Sequence, residues 1–241
     1  MDTRSFWRSH AVLPAAFLAV AFAAIRLADA DLRLADAIYG VDSHRSWPGA
    51  GSWWAVDLVH TGGGWLVRLA GLAAIVAWLL CARVPRWRSW RPAWAYVVVA
   101  MIACTATVAG LKEATNMDCP RDIAPYGGTR PHVRLLGDRP DDLPRAACWP
   151  GSHATSGFAL MAFYFALRDR RPGLARGALA AALALGTVFS IGQQARGAHF
   201  LSHDLAGGAF AWFILLGLYR WLPGAGLQWS LQGDAPAGGN A

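Results

Sequence analysis

The sequence predicts an all-α fold, a polytopic membrane helix bundle of about six transmembrane helices, and three observations carry that prediction. Of 241 residues, 55% are apolar and only 15% are charged, with a mean hydropathy of +0.30; a soluble domain carries about 25% charged residues. The apolar residues gather in six long runs, and a spanning helix needs about 20 such residues. Thirteen Trp and ten Phe exclude a disordered chain. The net charge of +7 would by itself suit a nucleic-acid partner. The basic residues sit in short clusters between apolar runs rather than along one polar helix face, so they predict a lipid bilayer as partner and no nucleic acid.

In chain order the runs cover about 11–29, 62–82, 92–111, 152–167, 174–195 and 203–222. The first follows Arg4 and Arg8 and precedes Ala28-Asp29-Ala30. It reads either as a first span or as a signal peptide whose removal would leave five helices. Trp47, Trp53, Trp54 and Trp65 flank the second run on one side, and Trp87, Trp90 and Trp94 flank the third on the other, as interfacial anchors do. Residues 92–111 and 177–195 contain no Asp, Glu, Lys, Arg or His, so only a bilayer or a large core explains them. The other runs carry a charge near one end, such as Arg26, Arg68 or Arg220, where a long side chain reaches the headgroups. Residues 1–231 form a single transmembrane domain on this reading, and the Gly/Ala-rich tail 232–241 is expected to be disordered.

The connections set the orientation. Arg83, Arg86, Arg88 and Arg91 lie between the second and third runs, and Arg168, Arg170, Arg171 and Arg176 between the fourth and fifth. With Arg4 and Arg8 they fall on one side, which the positive-inside tendency makes cytoplasmic together with both termini. The opposite face receives 29–60 and a Pro- and Gly-rich segment, 112–152, too long to be a simple connector. A bacterial inner membrane with this face in the periplasm is the expected location.

That face collects the reactive side chains. The third run ends in Lys112-Glu113-Ala114-Thr115-Asn116-Met117-Asp118-Cys119-Pro120-Arg121-Asp122, and Cys148-Trp149-Pro150-Gly151-Ser152-His153 precedes the fourth. Gln193-Gln194-Ala195-Arg196-Gly197-Ala198-His199-Phe200-Leu201-Ser202-His203-Asp204 joins the fifth to the sixth. Imidazoles, cations and a helix start suit an anionic tetrahedral group. Cations hold its oxygens, one imidazole attacks phosphorus, a second protonates the leaving oxygen, and the amides at Gly151-Ser152 offer further donors. Lys112 is the one lysine among 22 basic residues. The histidines outside these clusters, His10, His44, His60 and His132, read as structural or solvated.

Cys81 and Cys104 lie in or near apolar helices and read as reduced packing residues. Cys119 and Cys148 share the external segment, where a disulfide between them would hold the first cluster against the second. Two buried thiols are the alternative.

The clusters resemble the motifs of the type 2 phosphatidic acid phosphatase superfamily, Lys-x6-Arg-Pro, Pro-Ser-Gly-His and Ser-Arg-x5-His-x3-Asp, over about 92–220. Lys112, Pro120, His153 and His199 match in order. The resemblance implies that His199 is the nucleophile of a phosphohistidine intermediate and His153 the general acid. It places Lys112, Arg196, Arg121, Gly151 and Ser152 around the phosphate of a phosphorylated membrane lipid, with no cofactor and no metal.

Departures are as specific as matches. Cys119 stands at the first motif's Arg, Gly151-Ser152 inverts Ser-Gly, Gln193 stands at the third motif's Arg, and His203 at its Asp, followed by Asp204. The chain is more closely similar to a subgroup with Thr-Asn-x-x-Cys-Pro and Arg-Gly-Ala-His-Phe-x-Ser-His. Either His203 or Asp204 orients His199; His203 is slightly favoured, because i+4 faces i on a helix and i+5 does not.

The expected activity is a lipid phosphate phosphatase. Alternatives are lipid-to-lipid phosphotransfer on the same site, a His/Asp membrane metalloenzyme using His199 and His203 on one helix face, and a non-catalytic, transporter-like membrane protein.

Overall fold

The computed structural model describes residues 3–40 and 45–222. His44 and the Gly/Ala-rich tail lie outside the described residues. The chain is built from α1 (Thr3–Leu27), α2 (Ala30–Tyr39), α3 (Trp53–Arg83), α4 (Arg91–Thr115), α5 (Ser152–Phe158), α6 (Ala162–Leu167), α7 (Pro172–Ala195) and α8 (Leu201–Trp221), with no strand among the described residues. Five helical stretches, those of α1, α3, α4, α7 and α8, are long and apolar enough to cross a membrane. Their outward faces carry exposed Phe17, Leu69, Ile102, Leu174 and Ile191, as lipid-facing surface does.

The fourth apolar run, expected as a sixth span, is shorter and irregular, yet it still leads from the face where α4 and α7 end to the opposite end, where α7 begins. It is broken into α5, a 3-10 turn at Ala159–Met161, and α6, and it lies at the centre of the bundle with Ala154, Thr155, Gly157, Ala159, Met161, Ala162 and Phe165 buried. Small residues permit this. A β-carbon on Gly157 would come within 2.9 Å of the Gly186 Cα, and one on Gly207 within 2.5 Å of Thr155 Oγ1. Enclosed by α4, α7 and α8, the segment has protein rather than lipid as its solvent, and its apolar composition reports burial.

Irregular turns have identifiable causes. Pro14 lacks the N–H that would reach the His10 carbonyl, the helix opens into a π turn at Arg8–Val12, and Trp212 Nε1 donates to His10 O at 2.7 Å instead. Phe6 and His10 of α1 are buried, and His10 Nε2 lies 2.6 Å from the Tyr164 hydroxyl. Helix α3 starts at Ser52, whose hydroxyl accepts from Ala55 N, and runs as a π-helix over Trp53–Gly62. Trp47 is not an interfacial anchor: it is 8% exposed and packs on Tyr39 and Tyr126, its ring covering Gly197, whose φ of +65° and lack of a side chain make room.

Candidate active site

Helix α4 ends at Asn116, which takes the left-handed conformation (φ +46°) and redirects the chain. Its last turn then holds the distant segment 146–149 almost residue by residue. Lys112 Nζ donates to Ala147 O (2.6 Å), Thr115 Oγ1 to Trp149 O (2.9 Å), Ala146 N to Asn116 Oδ1 (2.8 Å) and Cys148 N to Met117 O (3.0 Å). A Cys119–Cys148 disulfide, Cα atoms 5.2 Å apart, closes the same junction. Buried Asp118 accepts from Arg130 (2.5 Å) and Arg139 (2.9 Å), folding the intervening loop back onto it; this partner raises the Arg139 guanidinium above its ordinary value. The first two clusters are thereby one rigid unit.

The third cluster joins through the backbone. Arg121 N donates to Gly197 O at 2.9 Å, and Gly151 N donates to His203 O at 2.8 Å. Asp31, on α2, accepts from both the amide (2.8 Å) and hydroxyl (2.6 Å) of Ser202 in the first turn of α8, where a carboxylate also meets the helix dipole favourably.

At the centre His199 Nδ1 lies 2.7 Å from Asp204 Oδ1, while Gln194 Nε2 donates to Asp204 Oδ2 at 2.9 Å. Both members of the pair are buried. With Nδ1 committed to the carboxylate, Nε2 is the ring nitrogen left for chemistry.

Asp204, not His203, is therefore the partner of His199, against the slight preference drawn from helical spacing. His199 precedes the helix: Phe200 is extended (φ −80°, ψ 164°) and α8 begins at Leu201, so the i,i+4 rule does not reach back to it. His203 is fully buried against Phe200, and its ring centroid is 6.1 Å from that of His199. The premise of two imidazoles on one helix face fails for the same reason, and among the described residues no three His, Cys, Asp or Glu side chains gather as a metal site.

Gly151 also differs from expectation. Its amide is taken by His203 O, so it is not a free phosphate donor. Its importance is steric, because a β-carbon there would lie 2.5 Å from Asp204 Oδ1 and 2.9 Å from His199 Nδ1. Ser152 is exposed at the start of α5.

His153, one residue on, stacks on Phe189 at 4.2 Å, and its Nε2 lies 3.2 Å from Val59 O. The π-helical start of α3 explains why that carbonyl is available. Gly63 N bonds Leu58 O and His60 O, bypassing Val59 O, the acceptor a regular α-helix would use. A carbonyl can only accept, so Nε2 carries a proton and Nδ1 is the nitrogen free for proton transfer.

The cations differ in role. Arg196 Nη1 donates to Gln193 Oε1 at 3.1 Å, and among the described residues no carboxylate lies within ion-pair distance of it or of Lys112. Burial, with the Arg121 guanidinium nearby, pulls Arg196 below its ordinary value. An arginine stays charged even so. Arg121 is half exposed, 4.0 Å from Asp122. Lys112 is within electrostatic reach of Asp204. His60, read from sequence as structural or solvated, lies in the site: its ring centroid is 4.6 Å from that of His153 and its Nδ1 is 3.0 Å from Gln193 Nε2. The available signal was topological, since the second run's outer end opens on the same face as the clusters.

The structure thus brings His199, Asp204, His153, Arg196 and Arg121 within contact or electrostatic reach of one another, places Lys112 within reach of Asp204, and buries His203 against Phe200. Comparison with curated proteins and with solved structures gives no match. The family model for the PAP2 superfamily matches residues 93–226, more than half of the sequence, and the chain belongs to that superfamily of membrane phosphatases.

Proposed function

We propose that the chain is a lipid phosphate phosphatase that hydrolyses a phosphomonoester or pyrophosphate of a membrane lipid through a phosphohistidine intermediate. The observation that carries this reading is the His199 Nδ1–Asp204 Oδ1 contact at 2.7 Å, which leaves Nε2 as the nucleophile. Nε2 attacks phosphorus and the bond to the lipid oxygen breaks. His153, made doubly protonated by proton uptake when the lipid phosphate dianion binds beside it, gives that oxygen its Nδ1 proton and keeps the Nε2 proton on Val59 O. Water then attacks the phosphohistidine, with His153 now accepting its proton, and phosphate leaves.

Arg196 and Arg121 neutralise the phosphoryl oxygens, and their mutual repulsion is relieved when an anion lies between them. Lys112 adds a positive field within reach of Asp204 and anchors Ala147. The same intermediate could pass its phosphoryl group to a lipid hydroxyl, so water is proposed as the acceptor and the assay reads both products. The site face is proposed to be periplasmic in a bacterial inner membrane, with both termini cytoplasmic, on the strength of the arginine clusters at the opposite ends of the helices.

The test is phosphate release by the purified full chain from a panel of phosphatidic acid, phosphatidylglycerol phosphate, a phosphorylated lipid A and a polyprenyl pyrophosphate. Release from at least one, lost by about 10³-fold or more in His199→Ala, is expected. An His199→Ala protein as active as the parent overturns the assignment.

A further inference from the structure

Gln193 occupies the position at which the resemblance places an arginine, and it contacts two groups rather than acting as a cation itself. Its Oε1 accepts from Arg196 Nη1 at 3.1 Å, and its Nε2 lies 3.0 Å from His60 Nδ1. A guanidinium has donors only, so the amide oxygen must face Arg196 and the amide nitrogen must face His60. The His60 Nδ1 meeting that NH2 is then a bare lone pair, and the imidazole carries its proton on Nε2.

Among the described residues nothing accepts a hydrogen bond from His60 Nε2. The residue is exposed, its ring lies 4.6 Å from that of His153, and it is within electrostatic reach of His199, Arg196 and Arg121. It sits in the π-helical stretch Trp53–Gly62, the stretch that also frees Val59 O for His153. Departures from α-helical geometry of this kind concentrate at functional sites.

We infer that His60 is a third imidazole of the phosphate site, donating from Nε2–H to a non-bridging phosphoryl oxygen, with Gln193 as the positioning residue that fixes its tautomer and aims Arg196. The inference rests on the phosphatase reading. The motif's single arginine is replaced here by a divided donor set, one cation and one neutral N–H held apart by an amide. A neutral donor needs no proton uptake, so its contribution persists above the ordinary histidine pKa.

The test uses vanadate, a phosphate-shaped anion, as the probe, with the full chain in lipid nanodiscs. His60→Ala should weaken vanadate inhibition about tenfold and raise KM more than it lowers kcat, by about the same factor at pH 7 as at about pH 8.5. His60→Gln, which keeps an N–H, should recover most of the loss, and Gln193→Leu should fall between. A folded His60→Ala protein inhibited like the parent overturns the inference while leaving the phosphatase reading intact. A parent chain that neither releases phosphate nor responds to vanadate overturns both. Should His60→Ala fail to fold, nitrogen NMR of histidine-labelled parent decides instead. An Nε2-protonated His60 that loses its fixed tautomer in Gln193→Leu supports the inference, and an Nδ1-protonated His60 overturns it.

Discussion

The backbone of Gly151 presses on the carboxylate of Asp204 so closely that a β-carbon at position 151 would stand 2.5 Å from Oδ1. No carbon–oxygen contact of that length survives, and the neighbour is a buried pair rather than a flexible chain end. Gly151→Ala is therefore expected to break the His199–Asp204 geometry and lower phosphate release by about 10²-fold or more. The protein should still assemble in the membrane. Activity within a factor of two of the parent would show that the pair tolerates displacement.

Asp204 and His203 are adjacent in sequence and opposite in consequence. Asp204→Asn should reduce turnover by about 10³-fold or more, because an amide stabilises neither the required tautomer nor the cationic ring. His203→Gln should act on packing, lowering the melting temperature by several degrees while the rate per folded molecule stays within about tenfold. Measuring both quantities on both variants separates the roles. The reverse pattern would return His203 to the catalytic pair.

The Cys119–Cys148 bond spans a sequence separation of 29 residues. Chain-entropy arithmetic for a loop of this size gives about 3.6 kcal/mol. A double Cys119→Ser, Cys148→Ser protein should lose stability of that order, seen as earlier thermal unfolding in detergent. Activity should fall as well, since the bond fixes the end of α4 against the residues leading to His153. Equal melting curves for parent and double variant would contradict this.

Asp31 holds Ser202 by two hydrogen bonds from a separate helix. Asp31→Ala removes both and should cost about 1–2 kcal/mol, with a larger relative loss in turnover because the first turn of α8 carries Asp204. Hydrogen exchange at the amides of 201–204 is the direct measurement. Unchanged protection there would mean that the helix start is held by other contacts.

Run length and composition made the spans legible, and α4 and α7 bracket the two charge-free segments closely. The convergence of three clusters was legible too, because each adjoins an apolar run at the same end. Local backbone geometry was not. Whether His199 is helical decides between His203 and Asp204, and only the extended Phe200 answers that. The Gly151 amide and its missing side chain look equivalent in a motif, yet the first is occupied and the second is what the pair requires. His60 had no motif neighbour, and its place depends on a π-helical stretch that hydrophobic periodicity does not encode. Trp47 carried the composition of an anchor and the position of a lid over Gly197.

Because the segment bearing His153 is walled off by its neighbours, hydrophobic mismatch acts on the outer helices and reaches His153 only through them. A tilt of α7 or α8 would carry the acid along, because the His153 ring stacks on Phe189 of α7 and the Gly151 amide is bonded to His203 O of α8. Acid and nucleophile are thereby tied to the same two helices, so their alignment is kept when the outer helices adjust to the bilayer.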